Sequence, residues 1–237
     1  MQKTQNNMKM KNYNAVKIVK RVIDLAMILL SVLLMGGITA FRNVAVHEWL
    51  GTALTVLWIF HNILNRNFYK SIFRGKYNGF RIIMVSVNLA LIACAFLLAA
   101  SGIILSNSVF VFLGIENGMA FARTTHLVAS HWYYILIAFH FSLHAGVIFS
   151  CIPVLKNGSM VGKILRKLPL IISVYGIYAF AIRGFYKYLF YLQPFFFFDV
   201  ERGVALFILD YFSIFVLVAT VFYYIGNILK YFSKKSI

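Results

Sequence analysis

Apolar residues gather into runs that are long enough to cross a lipid bilayer, and polar residues are concentrated between the runs. A helix needs about 20 largely apolar residues to span the hydrocarbon core of a membrane. The pattern indicates six such runs, the fifth of them short, at residues 22–41, 47–64, 82–105, 127–151, 168–182 and 204–228. It therefore predicts an all-α protein, a polytopic transmembrane bundle of about six helices.

The composition agrees with a membrane protein and with a single domain. Of the 237 residues, 62% are hydrophobic and only 12% are charged, and the mean hydropathy is +0.82. No small-residue cleavage site follows the first run, so we expect it to stay as a helix rather than leave as a signal peptide. Because only three prolines occur and no linker divides the chain, residues 22–232 are predicted to form one transmembrane domain. A basic tail, 1–21, precedes it and a short tail, 233–237, follows it.

Positive charge is distributed unevenly along the chain, whose formal net charge is +17. Eighteen of the 23 lysines and arginines lie in the N-terminal tail, in alternate connections or near the C-terminus. The other connections carry only Arg42, Arg123, Arg183, Lys187 and Arg202. Lysine and arginine concentrate on the cytoplasmic side of membrane proteins, so both termini are predicted to be cytoplasmic. The basic surface is then expected to face anionic lipid rather than nucleic acid.

The second and fourth runs contain an internal repeat. The segments "HEWLGTALTVLWIFHNILN" (residues 47–65) and "HLVASHWYYILIAFHFSLH" (residues 126–144) align without gaps at a separation of 79 residues. His47 aligns with His126, and His61 aligns with His140. In the predicted topology both segments run from outside to inside, so the copies are parallel. Repeats in membrane proteins often build a site at their interface.

The spacing of the histidines within each segment predicts a paired site at two depths. Fourteen residues of α-helix rotate to about 40° short of four full turns and rise about 21 Å. His47 and His61 therefore share one helix face, as do His126 and His140. A lone histidine at a helix end would be unremarkable, whereas ionisable residues within a membrane span usually indicate function. If the two faces meet, the rings pair at two levels, which suits two haems with imidazole as the axial ligands of iron.

The haems would be of b type, because the chain has no C-x-x-C-H motif for covalent attachment. The residue four positions after each outer histidine is small, Gly51 or Ser130, and would let a flat porphyrin approach the helix backbone. Four arginines are expected to neutralise the haem propionates: Arg42 and Arg123 on the outer side, and Arg66 and Arg81 on the inner side.

Different roles are expected for the two remaining histidines. His144 lies one turn beyond His140 and is an alternative inner ligand, a hydrogen-bond partner of the cofactor or an acceptor of quinol protons. His131 lies about 140° round the helix from His126. It faces elsewhere, and polar packing is the expectation for it.

Two acidic residues lie within the apolar runs. Asp24 is near the cytoplasmic end of the first run, and Asp210 is about two turns into the last. Each is expected to relay protons or to pair with an arginine. For Asp24 the nearest arginine is Arg21, one turn away on the same helix.

At these residues the sequence resembles the flavinylation-associated membrane cytochromes, which are similar to the di-haem cytochrome b subunits of formate dehydrogenases and nickel-iron hydrogenases. The resemblance rests on the two histidine segments and on "YGIYAFAIRGFYKYLFYLQPFFFFDVE" (residues 175–201), and it covers most of residues 22–232. It implies a haem-binding four-helix core with four axial ligands and one alternative. These are His47, His61, His126 and His140, with His144 as the alternative. His131 stands where this family is expected to have tyrosine.

The resemblance also implies a cellular role. The chain would be a multi-pass protein of the bacterial cytoplasmic membrane that moves electrons between the quinone pool and an extracytoplasmic protein bearing flavin or haem. Neither the quinone site nor the redox partner is indicated by the composition or by the spacing of residues.

Three functions remain open. An iron atom with two histidine ligands has no free coordination position, which favours an electron relay in a respiratory chain. A quinol dehydrogenase in its own right would use Asp24 or His144 to handle protons. A transporter of metal ions or protons would need polar groups along several helices. Here the histidines are confined to two helices at a fixed interval.

Replacing His61 or His140 with alanine should remove one haem and leave the other, because each pair is predicted to hold its own haem. The haem content per chain of the purified variants measures this. Loss of both haems, or of neither, would contradict the pairing of the histidines by depth.

Overall fold

In the computed structural model the described residues are 2–74, 77–150 and 159–235. Side chains are described between residues 15 and 231, apart from 38–39, 75–76 and 147–158. Cys151, which the apolar pattern placed at the end of the fourth run, lies outside the described residues.

The described residues form α-helices joined by short connections, and they contain no β-strand. This confirms the predicted all-α class. One 3₁₀ turn, Val111–Leu113, lies in the connection before the sixth helix. The helices are α1 Gln2–Leu34, α2 Gly37–Phe41, α3 Val44–Leu64, α4 Asn67–Ile72, α5 Gly79–Ile104, α6 Met119–Ser150, α7 Met160–Ile182, α8 Phe185–Leu189 and α9 Gly203–Lys235.

Three helices are long and apolar enough to cross a membrane, judged by length and composition. They are Gly79–Ile104, Met160–Ile182 and the segment Gly203–Tyr231 of α9, with 26, 23 and 29 residues. The other predicted runs lie on α1, α3 and α6. Of these, α3 has 21 residues and α6 has 32, and both carry histidines, whereas α1 carries charged residues.

The first predicted run differs most from the helices of the structure. The pattern predicts one helix over residues 22–41, but the chain turns at residues 35–36 and divides the run between α1 and α2. Gly37 has a φ of +59°, in the left-handed region that favours glycine. At its other end α1 continues back to Gln2 through the basic tail, because no proline or glycine precedes Gly36 to interrupt it.

The fifth run is longer in the structure than the apolar pattern predicted. Its helix, α7, begins at Met160 rather than at residue 168. Ser159 caps it, since the Ser159 hydroxyl accepts a hydrogen bond of 3.1 Å from the Gly162 amide. Lys163, Arg166 and Lys167 belong to the added turns, which explains why apolar periodicity alone missed them.

A buried aromatic core lies between α6, α7 and α9. Tyr134, Phe185, Phe207, Tyr211 and Ile214 are almost completely buried there. The short helix α8 supplies Phe185 to this core, and the Trp132 indole donates a hydrogen bond of 2.9 Å to the Leu189 carbonyl at the end of α8. The aromatic core therefore holds α6 firmly on the side that faces α7 and α9.

A glycine allows the closest approach of two helices in this core. A Cβ atom built on Gly176 of α7 would lie 2.4 Å from the Ser213 carbonyl oxygen of α9. Small residues at such crossings let helix backbones meet in a membrane, where packing replaces the hydrophobic effect as the driving force.

A buried ion pair joins α7 to α9. Asp210 is 1% exposed, and Arg183 approaches its Oδ2 through Nε at 2.8 Å and through Nη2 at 2.7 Å. The Tyr175 hydroxyl donates to the other carboxylate oxygen at 2.5 Å. Of the two roles expected for Asp210, the structure therefore shows the pairing with an arginine.

Replacing Asp210 with asparagine should destabilise the protein by about 3–5 kcal/mol, because it leaves the Arg183 charge buried without its counter-ion. A lower apparent melting temperature in detergent would report this loss. Asp199→Asn is the matched control, since the half-exposed Asp199–Arg202 pair is 3.8 Å apart and ion pairs in contact with solvent contribute little to stability. Equal shifts for the two variants would contradict the importance of the buried pair.

Candidate functional site

The four repeated histidines form two facing pairs between α3 and α6. The ring centres of His47 and His126 are 6.3 Å apart with an angle of 64° between their planes. The ring centres of His61 and His140 are also 6.3 Å apart, with an angle of 77°. The structure therefore brings the histidines together in the pairs that the repeat predicts.

The helix ends help to place these rings. His47 lies in the first turn of α3, where the Asn43 side chain accepts a hydrogen bond of 2.9 Å from the Ala45 amide and caps the helix. His61 lies in the last turn of the same helix. The two histidines on α6 lie well inside a helix of 32 residues. Each pair thus combines a ring near an end of α3 with a ring within a continuous helix.

In two of the four rings the Nδ1 atom has a hydrogen-bond partner on a third helix. Asp24 of α1 lies 2.7 Å from His61 Nδ1. Ser101 of α5 lies 3.1 Å from His126 Nδ1, and its hydroxyl already donates to the Leu97 carbonyl at 2.6 Å, so it accepts from the ring. A partner at Nδ1 fixes the tautomer, so that Nε2 is the atom that would bind a metal. At His61 the Asn65 side-chain amide also lies 3.5 Å from Nε2.

The other two rings carry buried nitrogen atoms that lack a partner. His47 Nδ1 and His140 Nδ1 have no hydrogen-bond partner among the described residues, although both atoms are shielded from solvent. Burying a polar atom without a partner costs free energy. Such atoms call for an explanation, and a bound ligand beside the rings would supply one.

A cavity of about 380 Å³ lies beside the outer pair of histidines. Helices α1, α3, α5 and α6 line it, and their residues include His47, Gly51, His126, Ser130 and Tyr133. Its volume lies within the range of about 300–1,000 Å³ that is typical of ligand pockets. The described parts of α3 and α6 have few close backbone approaches, so the cavity separates the two helices of the repeat.

Gly51 borders open space, as the sequence predicts for a residue beside a flat ligand. A Cβ atom built on Gly51 would meet nothing within 4 Å. Ser130, its counterpart in the repeat, lines the same cavity, and its hydroxyl donates to the Leu127 carbonyl of its own helix at 2.9 Å. Both small residues therefore face the space between the helices.

The ring separation fits a metal ion held between two imidazoles. Two metal–nitrogen bonds of about 2 Å each, with about 1 Å from each ring nitrogen to its ring centre, place the ring centres roughly 6 Å apart. Both pairs have this separation. A haem would add a planar ring between the imidazoles, and the cavity beside the outer pair offers space on that side. The residues at the outer pair therefore fit a haem with two histidine ligands, and the inner pair has the same ring separation.

The inner pair is surrounded by further polar groups. The His144 ring lies 4.9 Å from the His140 ring, centre to centre, and His144 is exposed. Asn65 donates from Nδ2 to the His61 carbonyl at 2.9 Å and accepts from Lys20 Nζ at 2.9 Å. His61 faces His140 at the same separation as the outer pair, which favours His140 over His144 as its partner.

His131 lies apart from these pairs, in the aromatic core. Its ring stacks on Tyr188 at 4.6 Å and also contacts Phe185 at 5.0 Å. Its Nδ1 lies 2.8 Å from the Leu127 carbonyl. The residue is 1% exposed, so its place is that of a packed core histidine rather than a ligand between α3 and α6.

The four arginines expected near the propionates lie at the two ends of the site. Arg42 precedes α3 with a φ of 51°, and Arg123 lies one turn before His126; both are exposed, as is Arg66 at the inner end. Arg81 has other partners in this structure. Its guanidinium donates to the carbonyls of Ser71 and Arg74 and lies 4.5 Å from the centre of the Tyr77 ring.

Sequence reasoning missed three residues of the site. Glu48 accepts hydrogen bonds of 2.7–2.9 Å from the Ser106 hydroxyl and from the backbone amides of residues 107–109, which ties α3 to the outer connection. Ser101 has no signal in the sequence, because its contact with His126 spans two helices. Tyr133 does have one: it lies seven residues from both His126 and His140, which is the same face of α6.

Comparison of the chain with models of protein families, with curated proteins and with solved structures finds no match. Within the part of the chain that the structure describes, no three His, Cys, Asp or Glu side chains are grouped to hold a bare metal ion. The functional interpretation therefore depends on the two histidine pairs and on the cavity.

Replacing Gly51 with leucine should fill the cavity and remove the outer haem without harming the fold. Leucine has open space there and a helix propensity better than that of glycine by about 1 kcal/mol. We expect the haem content to fall by one per chain while the apparent melting temperature of the haem-free protein does not decrease. Gly51→Ala is the smaller control and should keep more of the haem. Full haem content in Gly51→Leu would contradict a ligand in this cavity.

Proposed function

We propose that the protein is a di-haem b-type cytochrome that relays electrons across the bacterial cytoplasmic membrane. The observation that carries the proposal is the pair of facing imidazoles repeated at two levels with one separation of 6.3 Å. A repeat that places two such pairs one above the other suits two cofactors in series rather than one isolated site.

In this proposal each haem is held by one histidine from each helix of the repeat. His47 and His126 hold the outer haem, and His61 and His140 hold the inner one. Haem supplies one-electron redox chemistry when it is bound. The chain itself holds the rings in place through Ser101 and Asp24, and it leaves space for the outer porphyrin beside Gly51.

The helix-lined cavity supports the four-helix haem core. Its lining comes from α1, α3, α5 and α6, and α6 is at the same time part of the buried aromatic core with α7 and α9. We propose that these six long helices all cross the membrane, with both termini in the cytoplasm. Lys20 and Arg21 then lie at the inner end of the site, and Glu48 lies at the outer end.

The proposed electron donor is the quinone pool, and the proposed acceptor is an extracytoplasmic protein that bears flavin or haem. The two haems would lie near opposite sides of the membrane because 14 residues of helix separate the levels by about 21 Å. Two haems at this separation would carry electrons over most of the distance between a quinol in the membrane and a protein at the outer surface. The exposed arginines at the two ends of the site, Arg42 and Arg123 outside and Arg66 inside, remain the proposed partners of the propionates. Arg81 is bound instead to the Ser71 and Arg74 carbonyls.

A quinol dehydrogenase acting alone is the second candidate. Its support is the polar group at the inner end, where the exposed His144 lies beside His140 and the half-exposed Asp24 binds His61. In this second proposal these side chains receive the protons that a quinol releases when it is oxidised. A metal or proton transporter is less well supported, since the facing histidines lie on two helices alone.

The purified protein should contain about two haems per chain and show b-type bands in a reduced-minus-oxidised spectrum. Expression with an adequate haem supply is required, because an apoprotein made without haem would give a false negative. Protein that folds but contains no haem under these conditions would contradict the proposed function.

Two additional measurements separate the alternatives. His144→Gln should keep both haems if His140 is the inner ligand, and it should lose one haem if His144 is the ligand. Oxidation of a soluble quinol by the purified wild-type chain, without a partner protein, would support the dehydrogenase; the His144→Gln variant should then oxidise the quinol more slowly.

A further inference from the structure

The two histidine pairs differ in the group that binds Nδ1. In the inner pair a carboxylate, Asp24 Oδ1, lies 2.7 Å from His61 Nδ1. In the outer pair a neutral hydroxyl, Ser101 Oγ, lies 3.1 Å from His126 Nδ1. The remaining ring of each pair, His140 or His47, has no hydrogen-bond partner at Nδ1 among the described residues. The two sites are thus alike in their rings, and they differ in the charge of the side-chain oxygen that lies closest to Nδ1.

The difference arises from the fold rather than from the repeat. Asp24 belongs to α1, which packs against α3, and Ser101 belongs to α5, which packs against α6. Neither helix is part of the repeated segments. Helices outside the repeat therefore give two sites of matched geometry different electrostatic surroundings.

Three other charged groups near the two sites, Glu48, Lys20 and Lys230, have partners of their own. At the outer site, the Glu48 carboxylate is turned to the Ser106 hydroxyl and the amides of residues 107–109. At the inner site, Lys20 Nζ binds Asn65 Oδ1, and Lys230 Nζ lies 4.4 Å from the centre of the Phe80 ring. Asp24 differs from all of these because it binds a proposed ligand ring directly.

A carboxylate that accepts a hydrogen bond from a ligating imidazole makes that imidazole a more basic ligand. A more basic ligand and a nearby negative charge both stabilise the oxidised form of iron, and hydrogen bonds around an iron site are among the factors that set its reduction potential. A hydroxyl has the same position at the outer pair but carries no charge. Its effect on the potential should be smaller.

We propose that Asp24 is a positioning residue that lowers the reduction potential of the inner site below that of the outer site, so that transfer of an electron from the inner to the outer site is favourable. This inference rests on the proposed function. With haem held at both pairs, each electron passed outward would be lost by the inner site and gained by the outer site. A quinol at the inner side supplies two electrons and releases two protons as it becomes a quinone. The extracytoplasmic flavin- or haem-bearing protein receives the electrons.

Equilibrium redox titration of the purified holoprotein, followed through the haem absorption bands, tests the proposal. Asp24→Asn keeps the size of the side chain and removes its charge. It should raise the lower of the two midpoint potentials by about 59 mV, which is a tenfold change in the one-electron equilibrium, and leave the higher potential in place. Asp24→Glu keeps the charge and should restore a potential near that of the wild type. Ser101→Ala is the matched control at the outer site and should shift only the higher potential, by less.

Single-site variants assign each potential to a pair of histidines. His47→Ala should retain only the inner haem and His61→Ala only the outer haem, so that adding Asp24→Asn changes the potential in the first background alone. If a single-site variant does not fold, the two-step redox titration of Asp24→Asn itself still shows which of the two midpoint potentials changes. The inference would be overturned if Asp24→Asn left the lower midpoint potential unchanged or shifted the higher one, or if the outer site had a lower potential than the inner site.

The failure of this inference differs from the failure of the proposed function. Protein without haem would overturn both, whereas protein with two haems and an inverted or Asp24-independent order of potentials would overturn the inference alone. In that case the relay would stand and its direction would have to come from the partners.

Discussion

An imidazole inside an apolar helical bundle must find a partner for each of its polar atoms, and the arrangement of this protein follows from that constraint. Four rings meet between α3 and α6, and a neighbouring helix supplies a hydrogen-bond acceptor to two of them. The other two retain buried Nδ1 atoms without a partner among the described residues. Such polar atoms are expensive to bury, so two helices that carry them in register are expected to share a ligand. The cavity beside the outer pair is where that ligand has room.

Helices α6 and α3, which carry the four histidines, are held in place in different ways. Helix α6 is held by an aromatic core and by the chain of contacts through α8, while the Asp210–Arg183 pair fixes α7 to α9 behind it. Helix α3 has no fully buried residue in the described part of the chain, and polar contacts hold it at its two ends. Glu48 ties the outer end to the connection after α5, and Asp24 ties the inner end to α1. Because α6 is fixed along its length and α3 is fixed at its ends, a space remains between the two helices while the positions of the histidine rings are defined.

Much of the site could be predicted from the sequence, because its key feature is a repeat. His47 and His126 are aligned by the repeat, and helix periodicity alone puts His61 and His140 on the same faces one level below. Helix boundaries were harder, since apolarity does not report where a helix ends when basic turns extend it, as at Met160. The apolar pattern also does not predict the break before Gly37, because a glycine within an apolar run is compatible with a helical φ as well as with the left-handed φ found here. Ser101 contacts a histidine on another helix and Glu48 binds the connection after α5, and local patterns contain no information about such partners.

The sequence by itself determined the class of the fold, the concentration of positive charge that predicts its orientation, and the pairs in which the histidines meet. These properties depend on composition and on the period of the helix, and both can be read along the chain. Only the tertiary structure decided which groups surround each pair. A carboxylate from α1 and a hydroxyl from α5 reach the rings because of how those helices pack, and packing depends on contacts between residues that are far apart in sequence.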